Sequence, residues 1–382
     1  MTALTPVIGI VGAGQLARMT VQAAISLSVP VRVLAARPDD GAALVWPHVE
    51  IGSPDSLEAL RHFAAGCDIL TFDHELVDPE HLRALEGEGR CLRPSAAAQR
   101  YAQDKGYQRE RFATLGLPVP QHRLVRDAAD ITSFAAEHGW PVVAKATRGG
   151  YDGRGVWLLD GSLAARELAE RCADSGVSLL AERFLPIETE LAVLLARRPG
   201  GECAVYPVVQ TVQADGICHE VIAPAPVDAE VAAEAERLAL AVAEATGVTG
   251  ILAVELFLAE GHLWLNEIAT RPHNSGHFSI EGAATSQFQN HLRAVLDWPL
   301  GTTTLTAPAV AMANVLGNPA GTDLAATLPA ALTVPGVRVH LYGKEPRPGR
   351  KIGHVTALGA EVEETRARAL RAATILAGKE PA

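Results

Sequence analysis

Residues 140–156, from Trp140 to Val156, read WPVVAKATRGGYDGRGV and give the strongest indication of the fold. A short apolar strand carries Lys145 and leads into a loop rich in glycine. Glycine lets a backbone approach phosphate oxygens closely, and a lysine beside such a loop supplies a positive charge. The pattern predicts a loop that closes over a triphosphate, although a surface hairpin with glycine turns would look similar. The candidate residues are Gly149, Gly150, Tyr151, Asp152, Gly153, Arg154, Gly155 and Val156.

A second pattern, ILAVELFLAEGHLWLNEIA, occupies residues 251–269. Two apolar runs joined by a short turn predict a β-hairpin. Glu255 and Glu267 then lie on adjacent strands, where their carboxylates can converge. Mg²⁺ prefers one or two carboxylates together with nucleotide phosphates. A pair of solvent-facing acids is the alternative, but the apolar neighbours Val254 and Leu256 favour a metal site.

The order of apolar runs predicts an α/β protein of three domains. Residues 1–98 alternate strands with helices, which is typical of a Rossmann-like parallel sheet. A boundary at Pro94 and Ser95 precedes one helix that carries Asp104 and Lys105. We expect a small strand-rich domain over 99–187 with the glycine-rich loop. A large domain over 188–382 then contains the hairpin and a β-rich C-terminal region.

A glycine loop near the start resembles a dinucleotide-binding fingerprint. Residues 12–17 read GAGQLA and lie between a predicted strand and a predicted helix. An acidic residue should end the next strand in such a site, but Arg37 and Pro38 stand there. A helix start that packs tightly, or that binds one phosphate, is the preferred interpretation.

Composition indicates a globular protein without disulfides. Of the 382 residues, 48% are hydrophobic and 20% are charged, and the net charge is −11. This charge disfavours nucleic-acid binding, which requires a basic face. The five cysteines form no CxxC pair, which fits a reducing compartment. The start lacks a signal-peptide pattern, and no apolar run approaches the roughly 20 residues that span a bilayer, so we expect a cytoplasmic protein without membrane contacts.

The motifs together resemble those of a known superfamily. Asp104 and Lys105, Lys145 before GGYDGRG, and the pair Glu255 and Glu267 are similar in order and spacing to the ATP-grasp enzymes. NEIATRPHNSGH and the late KEPRPGRKIGHV resemble, more narrowly, the 5-(carboxyamino)imidazole ribonucleotide synthetase family. The resemblance implies an ATP-grasp fold and a homodimer. It also implies a ligase that uses ATP, Mg²⁺ and bicarbonate to carboxylate 5-aminoimidazole ribonucleotide through carboxyphosphate, in purine biosynthesis.

The resemblance also implies a nucleotide site. Lys105 and Lys145 would neutralise phosphates, and Glu190 would accept from the ribose hydroxyls. Ala269 stands where many ATP-grasp enzymes have a metal-binding asparagine, which leaves Glu255 and Glu267 as the protein ligands to Mg²⁺. The remaining implied nucleotide contacts are Glu182, Arg183, Phe184, Leu185 and Asn266, with Gly150, Tyr151, Asp152, Gly153, Gly155 and Val156 of the loop.

Formation of carboxyphosphate joins two anions, so fixed cations are the main chemical requirement. Arg271 is the first candidate, and His273, Asn274 and Arg154 are the other implied catalytic residues. A structural ion pair for Arg271 and a structural role for His273 are the alternatives. Basic side chains on a turn suit a phosphate monoester. The implied substrate contacts are Gln15, Leu16, Glu75, Tyr151, Asp152, Arg154, Arg271, His273, Asn274, Lys344, Arg350 and Lys351.

Three other functions compete with this one. Another ATP-grasp enzyme could act on biotin, or on glycinamide ribonucleotide with formate, but a biotin carboxylase should have a longer run of glycines. A Rossmann oxidoreductase would use the loop at 12–17 and leave the paired glutamates unexplained. A catalytically silent ATP-binding regulator is disfavoured by the presence of Glu255, Glu267 and Arg271.

Overall fold

The computed structural model describes residues 5–149, 155–318 and 321–379. Three β-sheets follow one another along the chain, and each is built from strands that are close in sequence. Helices cover the sheets and connect their strands.

The N-terminal sheet is parallel and has the strand order β3-β2-β1-β4-β5. Its inner strands are almost entirely buried, as expected for a parallel sheet that is covered on both faces. The predicted parallel sheet is therefore confirmed. Its elements are β1 (Ile8–Val11), α1 (Gln15–Ser26), β2 (Val31–Ala35), β3 (Val49–Ile51), α2 (Leu57–Ala64), β4 (Ile69–Phe72), α3 (Pro79–Gly87) and β5 (Cys91–Leu92).

Two helices follow this sheet where one was predicted. They are α4 (Ala96–Gln103) and α5 (Lys105–Thr114), and Asp104 lies between them in extended conformation. The Asp104 carboxylate caps α5 by accepting from the backbone N–H of Tyr107 at 3.0 Å. The Lys105 N–H donates to the Thr147 carbonyl at 2.8 Å instead of continuing α4. The prediction of one helix was wrong because these contacts with the small sheet interrupt it.

The small sheet is antiparallel with the order β6-β9-β7-β8. Two helices pack on one face of it, around the buried side chains of Ile131, Phe134 and Leu168. Lys145 lies on β7, immediately before the glycine-rich loop. The elements are β6 (His122–Val125), α6 (Ala128–His138), β7 (Val142–Ala146), β8 (Val156–Leu159), α7 (Ser162–Ser175) and β9 (Leu179–Arg183).

The large sheet takes in the rest of the chain, including the C-terminal strands. Its main path is β15-β14-β10-β12-β13-β16-β18-β17, and β11 pairs with β10. Its strands are β10 (Ile187–Arg197), β11 (Cys203–Val205), β12 (Val209–Ala214), β13 (Ile217–Ala223), β14 (Gly250–Ala259), β15 (His262–Ala269), β16 (Ala309–Leu316), β17 (Val337–Leu341) and β18 (Lys351–Gly359). Its helices are α8 (Ala229–Thr246), α9 (Ser279–Gly282), α10 (Gln287–Val295), α11 (Leu324–Ala331) and α12 (Val362–Leu376), with a 3₁₀ turn at Asn274–Gly276.

Strands β14 and β15 form the predicted hairpin, in which Glu255 is directly opposite Glu267. The turn residues Glu260 and Gly261 have φ values of 54° and 71°. Two positive φ values are typical of the tight turn whose twist suits a hairpin. The hairpin prediction is confirmed, and it places the two carboxylates side by side.

Helix α10 joins the N-terminal sheet to this hairpin. Its Leu292 and Val295 pack in the same core as Val21 and Ala24 of α1. His291, which precedes Leu292 on α10, accepts from the Ile251 N–H at 3.2 Å and forms a hydrogen bond with Thr71 of β4 at 2.8 Å. The loop that follows β4 therefore lies beside the loop that follows β15.

Candidate active site

An ion pair joins the two loops. Arg271 follows β15, Glu75 follows β4, and Arg271 Nε lies 2.7 Å from Glu75 Oε2. Burial alone would lower the pKa of Arg271, but the carboxylate of Glu75 raises it. The second oxygen, Glu75 Oε1, is buried and has no hydrogen-bond partner within residues 5–149, 155–318 and 321–379. The structure thus brings a predicted catalytic cation to a predicted substrate ligand that retains one acceptor atom.

The paired glutamates of the hairpin differ in their titration. Burial raises the pKa of Glu255 to about 8, and the negative charges of Glu267 and Glu190 add to this effect. Burial also opposes ionisation of Glu267, but the Lys105 ammonium, which contacts Glu267 Oε2, outweighs it and lowers that pKa. Full ionisation of both glutamates is therefore unfavourable unless a positive charge lies close to them. A divalent cation would supply that charge.

A buried triad lies behind the nucleotide loop. Glu182 accepts from Arg109 Nε at 2.6 Å and from Lys145 Nζ at 2.7 Å. Burial opposes its ionisation, but the charges of Arg109 and Lys145 lower the pKa of Glu182 to about 2. Lys145 also donates to Asn266 Oδ1 at 3.1 Å, and burial lowers its own pKa. The triad fixes Lys145 beside the hairpin.

Sequence reasoning did not find Arg109, although its side chain is only 1% exposed. An arginine in a helix with several other charged residues carries no local signal of burial. Its partner is 73 residues away in the sequence, so only the tertiary structure reveals the pair.

The other predicted nucleotide contacts line the end of β9 and the start of β10. Arg183 pairs with Glu260 of the hairpin turn, Phe184 is 41% exposed, and Leu185 is buried. Glu190 lies on β10 beside the acidic pair, and burial raises its pKa. The carboxylate of Glu182 is occupied by its two cations, so its backbone is the part that remains for a ligand.

His273 points at the acidic pair. Its Nε2 atom lies 3.6 Å from Glu255 Oε1, and its Nδ1 atom bonds to Ser275 Oγ at 2.9 Å. Asn274 is arranged differently, because its amide exchanges two hydrogen bonds with the amide of Asn314, at 2.9 and 2.8 Å. Both residues are buried, so the side chain of Asn274 ties the 3₁₀ turn to β16. The partner Asn314 was not found from the sequence.

The basic segment 344–351 divides between two places. Lys344 contacts Gln15 Oε1 and lies 5.6 Å from the centre of the Tyr342 ring. The positive charge of Lys351 acts on Glu255 and partly offsets its raised pKa. Arg350 instead donates to the Glu345 carbonyl at 3.2 Å. The segment therefore approaches both the glycine loop at 12–17 and the acidic pair.

The glycine loop at 12–17 already holds an anion from the protein. The carboxylate of Asp73 accepts from the backbone N–H groups of Gly14 and Ala17, and the second distance is 2.9 Å. A Cβ atom on Gly12 would lie 2.9 Å from Asp73 Cβ, so the loop requires a small residue there. These contacts support the tightly packed helix start. Leu16 of this loop is buried, and its neighbour Gln15 meets Lys344.

Five predicted site residues, Gly150, Tyr151, Asp152, Gly153 and Arg154, lie outside the described residues, and their roles remain predictions. At the far side of the loop, Gly155 has a φ of 77°, and its carbonyl accepts from the Ala146 N–H at 2.8 Å. Val156 opens β8 and is exposed.

Comparisons with known proteins agree along most of the chain. Three family models match: a ribonucleotide synthetase preATP-grasp domain at residues 5–103, an ATP-grasp domain at 110–288, and a phosphoribosylaminoimidazole carboxylase C-terminal domain at 310–368. An N5-carboxyaminoimidazole ribonucleotide synthase from Mycobacterium bovis is 49% identical, over 97% of this chain and 87% of its own length. The chain belongs to the N5-carboxyaminoimidazole ribonucleotide synthase family.

Solved structures of family members have the same fold. An N5-carboxyaminoimidazole ribonucleotide synthetase in complex with ADP has a TM-score of 0.89 and 34% identity, with 98% of each chain covered. An Aspergillus clavatus enzyme in complex with ADP and 5-aminoimidazole ribonucleotide has a TM-score of 0.89 and 33% identity, and 97% of this chain and 98% of that one are covered. The predicted ATP-grasp fold with an N-terminal parallel-sheet domain is confirmed, and the family decides against the oxidoreductase alternative.

Two negative findings apply to the described part of the chain. No helix there is long and apolar enough to cross a membrane. No cluster of three or more His, Cys, Asp or Glu side chains there is arranged to hold a metal ion. The second finding leaves the two-carboxylate arrangement of Glu255 and Glu267, which depends on further oxygen ligands from a nucleotide, as the candidate metal site.

Proposed function

We propose that this ligase carboxylates 5-aminoimidazole ribonucleotide to 5-(carboxyamino)imidazole ribonucleotide in purine biosynthesis, using ATP and bicarbonate and releasing ADP and phosphate. Support comes from the named relatives and from the solved complex of one of them with ADP and 5-aminoimidazole ribonucleotide. The single observation in this chain that carries the proposal is the Arg271–Glu75 pair beside the acidic hairpin. It supports the proposal because a cation and a buried carboxylate oxygen, Glu75 Oε1, lie together beside the acidic hairpin.

The reaction proceeds in two steps. A bicarbonate oxygen attacks the γ-phosphorus of ATP, the bond to the β-phosphate oxygen breaks, and carboxyphosphate and ADP form. The exocyclic amine of the ribonucleotide then forms a bond to the carboxyl carbon, either of carboxyphosphate or of CO₂ released from it. Phosphate leaves, and the amine loses a proton.

Arg271 and Lys105 stabilise the charge that develops when the two anions meet. Both are held in place before the reaction, Arg271 by Glu75 and Lys105 by Glu267, so little reorganisation is needed. Glu75 Oε1 accepts from the substrate amine, while Lys344 and Lys351 bind its 5′-phosphate. Lys145, Asn266 and the backbone at 182–185 hold ATP, and Glu190 binds its ribose.

Mg²⁺ fits the donor set of Glu255 and Glu267, because both are hard oxygen ligands, and burial together with their mutual repulsion raises the pKa of Glu255. When bound with ATP, Mg²⁺ supplies positive charge that neutralises phosphate oxygens. Glu267 contacts Lys105 through its Oε2 atom, so its Oε1 atom would hold the metal while Lys105 stays in place.

The proposal extends to the organisation of the protein. The three domains are 1–98, 99–187 and 188–382, and the active site lies where they meet. The enzyme is cytoplasmic and forms a homodimer. Multi-angle light scattering tests the dimer directly: a mass of two chains supports it, and a mass of one chain contradicts it.

ADP release by the purified protein tests the function. Mg²⁺-ATP, 5-aminoimidazole ribonucleotide and bicarbonate are supplied together and with each omitted in turn. The proposal requires ADP to appear at full rate only in the complete mixture. A further mixture replaces bicarbonate and 5-aminoimidazole ribonucleotide with formate and glycinamide ribonucleotide. Equal ADP release in that mixture, or no ADP release in any mixture, contradicts the proposal.

A further inference from the structure

The segment 271–273 carries two predicted catalytic side chains, but its own backbone lies outside any strand or helix. It connects β15 to the 3₁₀ turn at Asn274–Gly276. Irregular backbone of this kind takes a single conformation only when other groups supply its hydrogen bonds. His273 lies 3.6 Å from Glu255, and it keeps this distance only if another group fixes the backbone of the segment.

Gln287, the first residue of α10, supplies those bonds. Its side chain is fully buried. Gln287 Oε1 accepts from the His273 N–H at 2.9 Å, and Gln287 Nε2 donates to the His273 carbonyl at 2.8 Å. A neighbouring β-strand would make the same two-bond pairing. The amide cannot be turned over, because its oxygen would then face the His273 carbonyl oxygen.

The second N–H of Gln287 is also used. It lies 3.0 Å from Nδ1 of His277, which is fully buried. Burial lowers the pKa of His277 well below its ordinary value, so the ring is neutral and Nδ1 is the acceptor. Every hydrogen-bonding atom of the Gln287 side-chain amide therefore has a partner, and the amide is fixed in one orientation.

The loop is shaped to receive this side chain. A Cβ atom on Gly276 would lie 2.6 Å from Gln287 Oε1, so the position accommodates no larger residue without displacement of the amide. Ser279 Oγ accepts from the Gln287 N–H at 2.9 Å and donates to the Gly276 carbonyl at 2.6 Å. Helix start and loop are thus tied together at several points.

We infer that Gln287 is a positioning residue for carboxylation, which sets the His273 imidazole against the acidic pair. Its side chain is fully buried, and it reaches the site through its two hydrogen bonds to the His273 backbone. Lys105 and Lys145, which hold the nucleotide, are fixed by Glu267, Glu182 and Asn266 and not by Gln287. Loss of Gln287 should therefore lower kcat while the KM for ATP stays the same. This inference rests on the proposed function.

The test is a double-mutant cycle of Gln287→Met and His273→Ala, with ADP release measured at saturating ribonucleotide and bicarbonate. Methionine is close to glutamine in size and removes all three hydrogen bonds. We expect Gln287→Met to lower kcat by roughly tenfold or more, with the KM for ATP within about twofold of wild type. In the His273→Ala background the same change should alter kcat by less than about twofold, because residues that act as a unit are not additive.

The matched control is Gln289→Ala on the same helix. Gln289 completes the capping box of α10 with Ser286 and does not contact His273, so this variant weakens the helix start and should retain wild-type kcat. Gln287→Glu is a second variant, which keeps the acceptor for the His273 N–H and loses both donors when ionised. It should lower kcat in the same direction.

Several results would overturn the inference. They are an unchanged kcat in folded Gln287→Met, equal losses in both backgrounds, or full activity of His273→Ala. Loss of the folded state in both Gln287 variants, with Gln289→Ala folded, would assign Gln287 to core packing alone. Each of these leaves the proposed function intact, whereas an inactive wild-type protein contradicts that function itself.

Discussion

Glu182 is a carboxylate that is almost completely buried, and two cations keep it ionised. The Arg109 and Lys145 contacts offset the loss of hydration that burial imposes. Removing one partner of such a group leaves uncompensated charge inside the protein, which is costlier than losing a surface ion pair. The triad also holds Lys145 in place, so its loss affects both stability and nucleotide binding.

We expect Arg109→Met to lower the free energy of unfolding by about 3–5 kcal/mol at pH 7. The folded pKa of Glu182, about 2, lies below its ordinary value of 4.5, so the contribution is present above 4.5 and is lost as pH falls towards 2. Urea unfolding at several pH values measures this. The difference between wild type and variant should shrink in acid; a constant difference contradicts the assignment. Arg237→Met, at an exposed pair with Glu234, is the control and should change little.

Glu267→Gln should reduce Mg²⁺-ATP turnover by about a hundred- to a thousandfold while the fold stays intact. The change removes the negative charge that holds Lys105 and that would hold the metal. Steady-state ADP release and circular dichroism measure the two effects. Glu234→Gln, the same substitution at a surface ion pair, should retain full turnover. Near-normal turnover of Glu267→Gln would remove the metal assignment.

The sequence predicted residues whose signals are local. Glu255 and Glu267 interrupt apolar runs, and Arg271 and His273 follow them closely, so pattern and resemblance identify them. Arg109, Gln287 and Asn314 have no such signal. Each becomes significant only through a partner on another element, as Asn314 does through Asn274, forty positions away. Partners that are distant in the sequence are set by the tertiary fold.

Helix starts and turns show the same division among elements. The β14–β15 hairpin was predictable because its turn and its alternation are contained in one stretch. The break between α4 and α5 was not, because Thr147 and Arg148, more than forty residues further along the chain, hold Asp104 and Lys105. The start of α1 was only partly predictable. Its glycines form a recognisable pattern, but nothing in the sequence indicates that Asp73 binds the backbone amides of this loop.

We expect Asp73→Ala to lower the free energy of unfolding by roughly 1–2 kcal/mol, as loss of a helix cap does, because the Gly14 and Ala17 amides lose their acceptor. The KM for the ribonucleotide should rise, since Gln15 lies in the loop that Asp73 holds. Thermal unfolding and initial rates measure the two effects. Asp55→Ala, at an exposed aspartate, is the control. Unchanged stability of Asp73→Ala would show that these amides need no internal anion.

At the scale of the whole molecule, the candidate site residues come from all three sheets: Glu75 follows β4, Lys145 lies on β7, and Glu255 and Glu267 lie on β14 and β15. Helix α10 is central to this arrangement, because it contacts α1, β4, β14 and the 271–273 segment. The sequence predicted the sheets in order. It did not predict that β16, β18 and β17 continue the large sheet, since strand order depends on pairings across the whole chain.

Ligand binding should stabilise this assembly selectively. Mg²⁺-ATP at a hundredfold excess over its Kd should add about 2.7 kcal/mol to the free energy of unfolding, because a ligand that binds only the folded state shifts the equilibrium. NADH should add nothing, because Asp73 already occupies the amides of the loop at 12–17. Differential scanning calorimetry distinguishes the two. Equal stabilisation by NADH would contradict the assignment of Asp73 as the anion that fills this loop.

In the proposed reaction ATP phosphorylates bicarbonate, and the carbon of bicarbonate reaches the amine of the ribonucleotide. Bicarbonate labelled with ¹³C and ¹⁸O tests both parts in one reaction with Mg²⁺-ATP and 5-aminoimidazole ribonucleotide. We expect one ¹⁸O atom in each phosphate released and ¹³C in an acid-labile carboxyamino product, in amounts equal to the ADP formed. Unlabelled phosphate, or ADP formed without ¹³C in the product, would contradict the account.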